Sequence, residues 1–306
     1  MKSRVKGANF PSNRWPSSQA IVFLLFLSMA GIFSVPSSWA ADNLAICSPD
    51  RSDCERPQAI PGADLKLDMS YLKGYVGDTG KILTSPVRWD DREWYTAALV
   101  LSVTAGLYAY DQDLKDWVQR RRNRTTDDLA KVFTPFGNGL YTLPAAGFIY
   151  LYGEVQESEK AKRIGLLGAE SIVLAGVFTG VVKIAGHRHR PNTGDQYNRW
   201  DGPGLSTDNL SFPSEHVSAA FALATVVAGE SDGPYVAPAA YGMASLVALA
   251  RVNDNEHWSS DVFLGAAVGY FTARAVLRYH KKKNSPLALL PDVSGDRYGI
   301  LMLYRY

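Results

Sequence analysis

The sequence predicts an all-α fold: a single bundle of about six helices, with an irregular N-terminal arm and a short strand-like C-terminal tail. Six long apolar stretches carry this prediction, and they cover residues 94–110, 140–155, 164–185, 217–229, 235–252 and 258–279. Their frequent alanine, glycine and serine residues suit close packing between helices. Charged or glycine- and proline-rich connections separate the stretches, so each is expected to form one helix.

Composition divides the 306 residues into four parts. Residues 1–40 resemble a signal peptide, 41–92 form the arm, 93–282 the helical domain and 283–306 the tail. The arm contains repeated glycine and proline and shows no sustained helical period. A chain of this length can build one large domain with a sizeable core.

The N-terminus predicts export. Four basic residues and no acidic ones lie within residues 1–40, an apolar run follows at 20–35, and small residues precede Ala41. This order is typical of a cleaved signal peptide, and an uncleaved membrane anchor is the alternative. We expect export to the bacterial cell envelope and a periplasmic location, membrane-associated or integral. In that compartment Cys47 and Cys54 either form a small disulfide loop or remain two free thiols.

Charge argues against a nucleic-acid partner. The net charge is +2, with 32 basic and 30 acidic side chains, and the basic excess lies in the first 40 residues. A nucleic-acid-binding domain needs a strongly basic face. Oligomeric state is not determined by these features.

The number of membrane-spanning helices is left open. Several apolar stretches approach the ~20 residues that a span requires, but Glu170, Pro144 and Pro238 interrupt them. Counting spans from an exported N-terminus places Lys183 on the cytoplasmic side. The basic run at 281–283, which should itself be cytoplasmic, instead places Lys183 and the other polar residues up to Asp261 outside. A bundle wholly in the periplasm, or one segment that does not span, removes this conflict.

Three polar segments interrupt the apolar background, at residues 183–191, 211–216 and 251–261. Each lies at the end of an apolar stretch, where a bundle can bring all three together. The combination of lysine, arginine, serine and histidine suits a tetrahedral oxyanion such as phosphate.

Taken singly, each segment has a simpler interpretation. The basic run at 183–190, including His187, Arg188 and His189, is also typical of a solvated patch at a helix C-terminus. Ser214 is a plausible N-cap, and the free N–H groups of a helix start bind anions. His257 and Asp261 are four residues apart, which on a helix predicts either a surface pair or a carboxylate that orients an imidazole.

The order and spacing of the segments resemble the type 2 phosphatidic acid phosphatase family, which is related to bacterial class A acid phosphatases and vanadium haloperoxidases. That family's pattern is Lys, six residues, Arg-Pro; then Pro-Ser-Gly-His; then Ser-Arg, five residues, His, three residues, Asp. The matching positions are Lys183, Arg190 and Pro191; Pro213, Ser214 and His216; and Arg251, His257 and Asp261. The resemblance covers roughly residues 90–280.

The resemblance implies a phosphate-binding set and a catalytic set. The phosphoryl oxygens would be held by the side chains of Lys183, Arg190, Ser214 and Arg251, and by the backbone N–H of Glu215.

His257 would attack phosphorus and form a phosphohistidine, Asp261 would orient it, and His216 would protonate the leaving oxygen. Such a reaction depends on positioning and charge stabilisation. The resemblance implies that no metal and no cofactor take part. It also implies a phosphorylated substrate, which could be a lipid-linked phosphate, a polyprenyl pyrophosphate or a soluble phosphomonoester.

Two positions depart from the family pattern. Ala250 replaces the usual serine, and Glu215 replaces a glycine whose lack of a side chain suits close approach to phosphate. A carboxylate that pointed inward would repel the substrate. One alternative is a vanadate-dependent haloperoxidase, because vanadate is also tetrahedral and would bind the same residues as a cofactor. A second alternative, suggested by Glu215, is a phosphate-binding protein with weakened catalysis. A His/Asp metal site is disfavoured because the surrounding Lys and Arg side chains repel a cation.

Overall fold

The computed structural model describes residues 84–206 and 209–283, the single positions 71, 77, 79 and 80, and the strands at 287–294 and 297–304. The predicted signal peptide, both cysteines and most of the arm lie outside the described residues.

Helices dominate the described part of the chain and confirm the all-α prediction. Its long α-helices are α1 (Asp91–Ala109), α4 (Gly139–Val155), α5 (Glu159–Gly186), α6 (Glu215–Glu230), α7 (Val236–Asn253) and α8 (Ser259–Lys283). They coincide with the six predicted apolar stretches. Two short helices, α2 (Asp111–Gln119) and α3 (Arg124–Phe133), form the charged connection between α1 and α4.

Polar side chains at the N-termini set where several helices begin. The Asp90 side chain accepts from the backbone N–H of Glu93, and the Glu93 side chain accepts in return from the N–H of Asp90. Asn123 forms the same reciprocal pair with Thr126 at the start of α3. Such capping boxes satisfy N–H groups that the first helical turn leaves without partners.

Helix α6 is the centre of the bundle and packs against α5, α7 and α8. Glycines on α8 permit its close approach. A Cβ at Gly265 would lie 2.5 Å from the carbonyl oxygen of Ser214, and one at Gly269 would lie 2.1 Å from that of Ser218. Any larger side chain would force the two helices apart, so these glycines fix the N-terminus of α6 against the first turns of α8.

Several helices expose large apolar side chains. The exposed residues include Trp94, Tyr95, Leu99 and Leu101 on α1; Leu140, Phe148, Leu151 and Tyr152 on α4; and Val173, Val177, Val181 and Ile184 on α5. Within the described residues α5 alone is long and apolar enough to cross a membrane, and over half of its most apolar window is buried inside the protein. Glu170, which interrupts α5 in the sequence, is buried and accepts hydrogen bonds from Tyr71 and His280.

The C-terminal tail forms two strands, where one strand-like segment was expected. Strands β1 (Leu287–Ser294) and β2 (Arg297–Tyr304) pair antiparallel, with Leu287 opposite Tyr304 and Ser294 opposite Arg297. In this antiparallel register the two strands satisfy one another's backbone hydrogen bonds.

Candidate active site

The first polar segment begins in the last turn of α5. Lys183 is buried there, and its ammonium group donates to the carbonyl oxygen of Leu210. The helix ends because His187 takes a left-handed conformation, with φ of 50° and ψ of 51°. Arg190 therefore lies outside the helix. It does not share a helical face with Lys183, although a helix continued over the seven-residue interval between them would have placed both on one face.

The second segment forms the N-terminus of α6. Ser214 is the N-cap residue and is completely buried, but its hydroxyl makes no capping hydrogen bond. Glu215 is the first helical residue and is exposed, and His216 follows in the first turn, half-buried. The hydroxyl of Ser214 and the first N–H groups of the helix are thus available to an anion at this helix end.

The third segment joins α7 to α8. Arg251 lies in the last turn of α7 and is buried, and Asp261 lies in the first turn of α8. His257 precedes α8 and is not helical. The prediction that His257 and Asp261 stack on one helical face is therefore wrong, although the two side chains remain neighbours.

Hydrogen bonds tie the three segments to one another. The N–H of Ser211 donates to the carbonyl of Arg188 at 3.0 Å, linking the second segment to the first. The N–H of Ser214 donates to the carbonyl of Asp261 at 2.9 Å, linking it to the third. The indole of Trp258 donates to the carbonyl of His189 at 2.8 Å. The predicted convergence of the three segments is thus present in the structure.

The cationic side chains converge on His216. Burial is the largest influence lowering the pKa of this histidine, to about 4, and the positive charges of Arg251, Lys183 and Arg190 add to it. A neutral imidazole is therefore the resting form at neutral pH. A bound dianion would oppose the three cationic charges and raise the pKa of His216, which favours its protonation when substrate is present.

Unsatisfied donors mark the same place. The Ser214 hydroxyl and the Nε atoms of Arg190 and Arg251 are buried without a hydrogen-bond partner. Buried polar groups without hydrogen-bond partners are costly. A bound ligand is therefore expected to supply the missing partners here. Glu256 pairs with both arginines, accepting from Arg190 and lying 3.6 Å from a terminal nitrogen of Arg251. This carboxylate orients the two guanidinium groups and leaves both Nε groups unsatisfied.

The ring of His257 is fixed by a backbone carbonyl. Its Nδ1 atom lies 2.8 Å from the carbonyl oxygen of Ser211. A carbonyl only accepts, so Nδ1 carries the proton and the lone pair is on Nε2. Burial lowers the pKa of His257 to about 3, and the charges of Lys183 and Arg251 act in the same direction against the opposing effect of Asp261. A neutral imidazole with a free Nε2 is the form that can attack phosphorus.

Asp261 does not form the direct hydrogen bond to His257 that the four-residue spacing suggested. Its Oδ2 atom is 3.7 Å from Nδ1 of His257 and accepts instead from the Ser211 hydroxyl at 2.5 Å and the Trp258 N–H at 2.9 Å. Its Oδ1 atom accepts from Arg188 at 2.6 Å. Complete burial acts to raise the pKa of Asp261, but the adjacent His257 ring, the positive charge of Arg188 and the Ser211 hydroxyl outweigh it and keep the pKa low. Asp261 therefore influences His257 through Ser211 and through its charge.

The basic run in the first segment is not a solvated patch. Arg188 has no exposed surface, His187 is buried, and His189 pairs with Asp195 and Asp201, each at 2.7 Å. Ser211 and Glu256 also contribute to the site without a role having been assigned from sequence. Both lie within the polar segments, and this position is the signal that could have identified them.

A cavity of about 400 Å³ opens beside His216. Apolar side chains of α4, α5 and α6 form much of its wall, and Glu215 and His216 lie along it; the apolar residues are Leu143, Ile172, Val173, Val177 and Ala219. Glu215 is therefore on the side of the site that faces this cavity, and its carboxylate is close enough to Lys183 to interact electrostatically.

Comparisons with known proteins agree with the sequence resemblance. The sequence model of the PAP2 superfamily matches residues 165–285. A stretch of 61 residues is 46% identical to the lipid A 1-phosphatase of Porphyromonas gingivalis, and this match covers 19% of the present chain and 14% of that protein.

Two solved structures are also similar. LpxE of Aquifex aeolicus is 21% identical with a TM-score of 0.42, over 55% of this chain and 94% of that one. The transmembrane PAP2 type phosphatidylglycerolphosphate phosphatase of Bacillus subtilis is 17% identical with a TM-score of 0.44, over 70% and 95%.

The family match includes Lys183, the whole N-terminus of α6 and the start of α8, which are the places where the three polar segments meet. The part of the chain that carries the three segments is similar in sequence to the PAP2 superfamily.

Proposed function

We propose that this chain is a phosphatase that hydrolyses a lipid-linked phosphomonoester or pyrophosphate through a phosphohistidine intermediate. The observation that carries the proposal is the buried anion pocket at the start of α6. There the unpartnered Ser214 hydroxyl and the two unpartnered arginine Nε groups lie around a helix N-terminus, next to two neutral histidines.

Binding uses the groups that lack partners. The phosphoryl oxygens accept from Ser214, Arg190 and Arg251, from the ammonium group of Lys183, and from the backbone N–H of Glu215. Charge-assisted hydrogen bonds from guanidinium groups are strong and directional. The helix dipole adds to this attraction because the phosphate lies at the positive end of α6.

The first chemical step transfers the phosphoryl group to His257. Its Nε2 lone pair forms a bond to phosphorus while the bond from phosphorus to the ester oxygen breaks. His216, protonated once substrate is bound, gives its proton to that leaving oxygen. In the second step a water attacks phosphorus, His216 takes a proton from the water, and the bond from phosphorus to His257 breaks to release phosphate. No step requires a metal.

The surroundings of His216 support a lipid as leaving group. The leaving oxygen must lie next to His216, and the cavity that opens there has a largely apolar wall. The exposed apolar side chains of α4 and α5 extend this character to the surface, which is a feature of membrane-contacting proteins. A relative that shares a 61-residue stretch is itself a lipid A phosphatase. We therefore propose association with the membrane, and export to the periplasm on the evidence of residues 1–40.

A phosphate-release screen with the purified protein tests the activity. We expect release from lipid phosphates or polyprenyl pyrophosphates to exceed release from soluble monoesters, and to be unchanged by a chelator. Loss of activity with chelator would contradict metal independence. Oxidation of halide that appears only after addition of vanadate would favour the haloperoxidase alternative, and phosphate binding without release would favour a binding protein.

Filling the cavity tests the lipid assignment separately. Gly176 lines the cavity, and a Cβ added there meets no atom within 4 Å. The change Gly176→Leu should lower kcat/KM for a lipid phosphate at least tenfold and leave that for 4-nitrophenyl phosphate within about twofold, because a leucine adds four carbons of bulk worth roughly 0.8 kcal/mol each when they displace apolar substrate contacts. Gly180→Leu is the matched control, since it is equally open but outside the cavity lining. Equal loss for both substrates would contradict a lipid chain in this cavity.

A further inference from the structure

A completely buried ion cluster lies behind the nucleophile. Arg188 pairs with Asp111 at 2.8 Å and with Asp261 at 2.6 Å, and Ser260 bridges the group. The Ser260 hydroxyl accepts from Arg188 at 2.8 Å and donates to Asp111. All four residues have no exposed surface. We call them the Arg188 cluster.

The Arg188 guanidinium has no donor left for a substrate. Its five N–H groups are matched by five contacts: two to the carbonyl of Tyr197, and one each to Ser260, Asp261 and Asp111. Aromatic rings enclose it as well; they belong to Tyr108, Trp200 and Trp258, at 4.7, 5.3 and 5.3 Å from its central carbon. Arg188 therefore differs from Arg190 and Arg251, whose Nε groups are free.

The orientation of Asp261 depends on this cluster. One carboxylate oxygen accepts from Arg188, and the other accepts from the Ser211 hydroxyl and the Trp258 N–H. The carbonyl of the same Ser211 holds Nδ1 of His257. A shift of Asp261 would thus displace Ser211 and with it the acceptor that fixes the tautomer and direction of the nucleophilic ring.

Asp111 holds the other side of the guanidinium. It is the first residue of α2 and accepts from the N–H of Ser260 at 2.9 Å as well as from Ser260 Oγ and Arg188. These contacts join the start of α2 to the start of α8. Without Asp111, the buried Arg188 guanidinium would keep only the carboxylate of Asp261. It could then rotate toward Asp261, because a carboxylate would hold only one of its two sides.

We propose that Asp111 and Arg188 are positioning residues for the nucleophile: they hold Asp261, and through Asp261 and Ser211 they fix the orientation and tautomer of His257. The inference rests on the proposed function, because it takes His257 as the group that receives the phosphoryl. Neither residue touches the substrate, so their effect is on the chemical step and not on phosphate binding.

Kinetics of Asp111 variants test this. Asp111→Ala should lower kcat about tenfold to hundredfold, the range known for residues that orient metal-ligating histidines. It should lower the rate of phosphoenzyme formation equally, measured by rapid mixing and an alkaline quench, in which phosphohistidine survives. The inhibition constant of inorganic phosphate should stay within about twofold, because the anion pocket is untouched. Asp111→Asn keeps an acceptor oxygen and should recover part of the rate. Asp113→Asn, on the exposed face of the same helix, is the control and should behave as wild type.

A double-mutant cycle tests the path through Asp261. If Asp111 acts through Asp261, then Asp111→Asn should cost much less in an Asp261→Asn background than alone. Fully additive losses would overturn the path. A rise in KM with unchanged kcat, or a wild-type rate in Asp111→Ala, would overturn the positioning role. If Asp111→Ala does not fold, Ser260→Ala replaces it, since this change removes one hydrogen bond from each of Asp111 and Arg188.

A readout independent of activity separates this inference from the proposed function. Nitrogen NMR of labelled histidine, with His257 assigned by its own substitution, should show one Nδ1-protonated tautomer in the wild type and a mixture in Asp111→Ala. Unchanged His257 signals in Asp111→Ala would overturn the inference. Absence of any phosphate release by the wild type would instead overturn the proposed function and leave the NMR result to decide the positioning role.

Discussion

The acid role of His216 leads to a quantitative prediction about pH. Burial, together with the charges of Arg251, Lys183 and Arg190, lowers the pKa of His216 to about 4 in the free site. A lowered pKa means that the imidazole loses its proton at lower pH than an ordinary histidine. At pH 6, two units above this value, only about 1% of free enzyme carries the proton that the leaving oxygen needs. Each further pH unit lowers that fraction tenfold.

The free enzyme is reported by kcat/KM, and the substrate complex by kcat. We therefore expect kcat/KM to fall from about pH 4 upward, and kcat to fall only at higher pH, because bound phosphate raises the pKa of His216. Replacing His216 by alanine should remove this decrease of rate at higher pH. The pH profile of the variant should then show only the ionisation of the substrate phosphate, near pH ~6.

Initial rates with two substrates between pH 3.5 and 8 provide the assay. For phenyl phosphate, a poor leaving group, His216→Ala should lower kcat by ~10²–10⁴, the usual contribution of a general acid. For 4-nitrophenyl phosphate the loss should be much smaller, since nitrophenolate leaves without a proton. The reasoning is refuted if the rates of wild type and variant fall in the same way at higher pH. It is also refuted if His216→Ala lowers kcat equally for both substrates.

Three further predictions concern other parts of the chain. Glu215→Gly should raise kcat/KM roughly fivefold, since one charge that repels phosphate in a water-like surrounding costs on the order of 1 kcal/mol. Glu215→Gln removes the same charge and should give most of that gain. No change in kcat/KM in either variant would mean that the carboxylate does not act on the substrate. His257→Ala should abolish turnover and also the trapping of labelled phosphate after an alkaline quench, in which a phosphohistidine survives. A variant that still traps phosphate would show that another residue is the nucleophile. N-terminal sequencing of the mature protein should begin near Ala41, whereas a start near Met1 would indicate an uncleaved anchor.

The helices and the candidate residues were predictable because their signals are local. An apolar stretch long enough for a helix is visible in sequence, and all six long helices appear where such stretches were found. The site residues were identified because the spacing within each polar segment matches a family pattern. The structure then brings Lys183, Ser214, Arg251 and His257 to one place.

Details that depend on exact backbone path were not predictable. The left-handed conformation of His187 ends α5 before Arg190, and the start of α8 at Ser259 excludes His257 from the helix. A difference of only a few residues in where each of these helices ends or begins decides the direction of a side chain. As a result the acceptor for His257 is the carbonyl of Ser211 and not the carboxylate of Asp261.

The sequence by itself determined the helical class, the six long helices and the identity of the groups that can bind phosphate, because hydrophobic patterning and residue spacing are properties of short segments. Only the tertiary structure decided which charges are buried. Arg188 is indistinguishable from a solvated arginine in sequence, since its partners Asp111 and Asp261 lie 77 and 73 residues away. A charge is stable inside a protein only when such partners surround it, and their meeting depends on how α2, α5 and α8 pack.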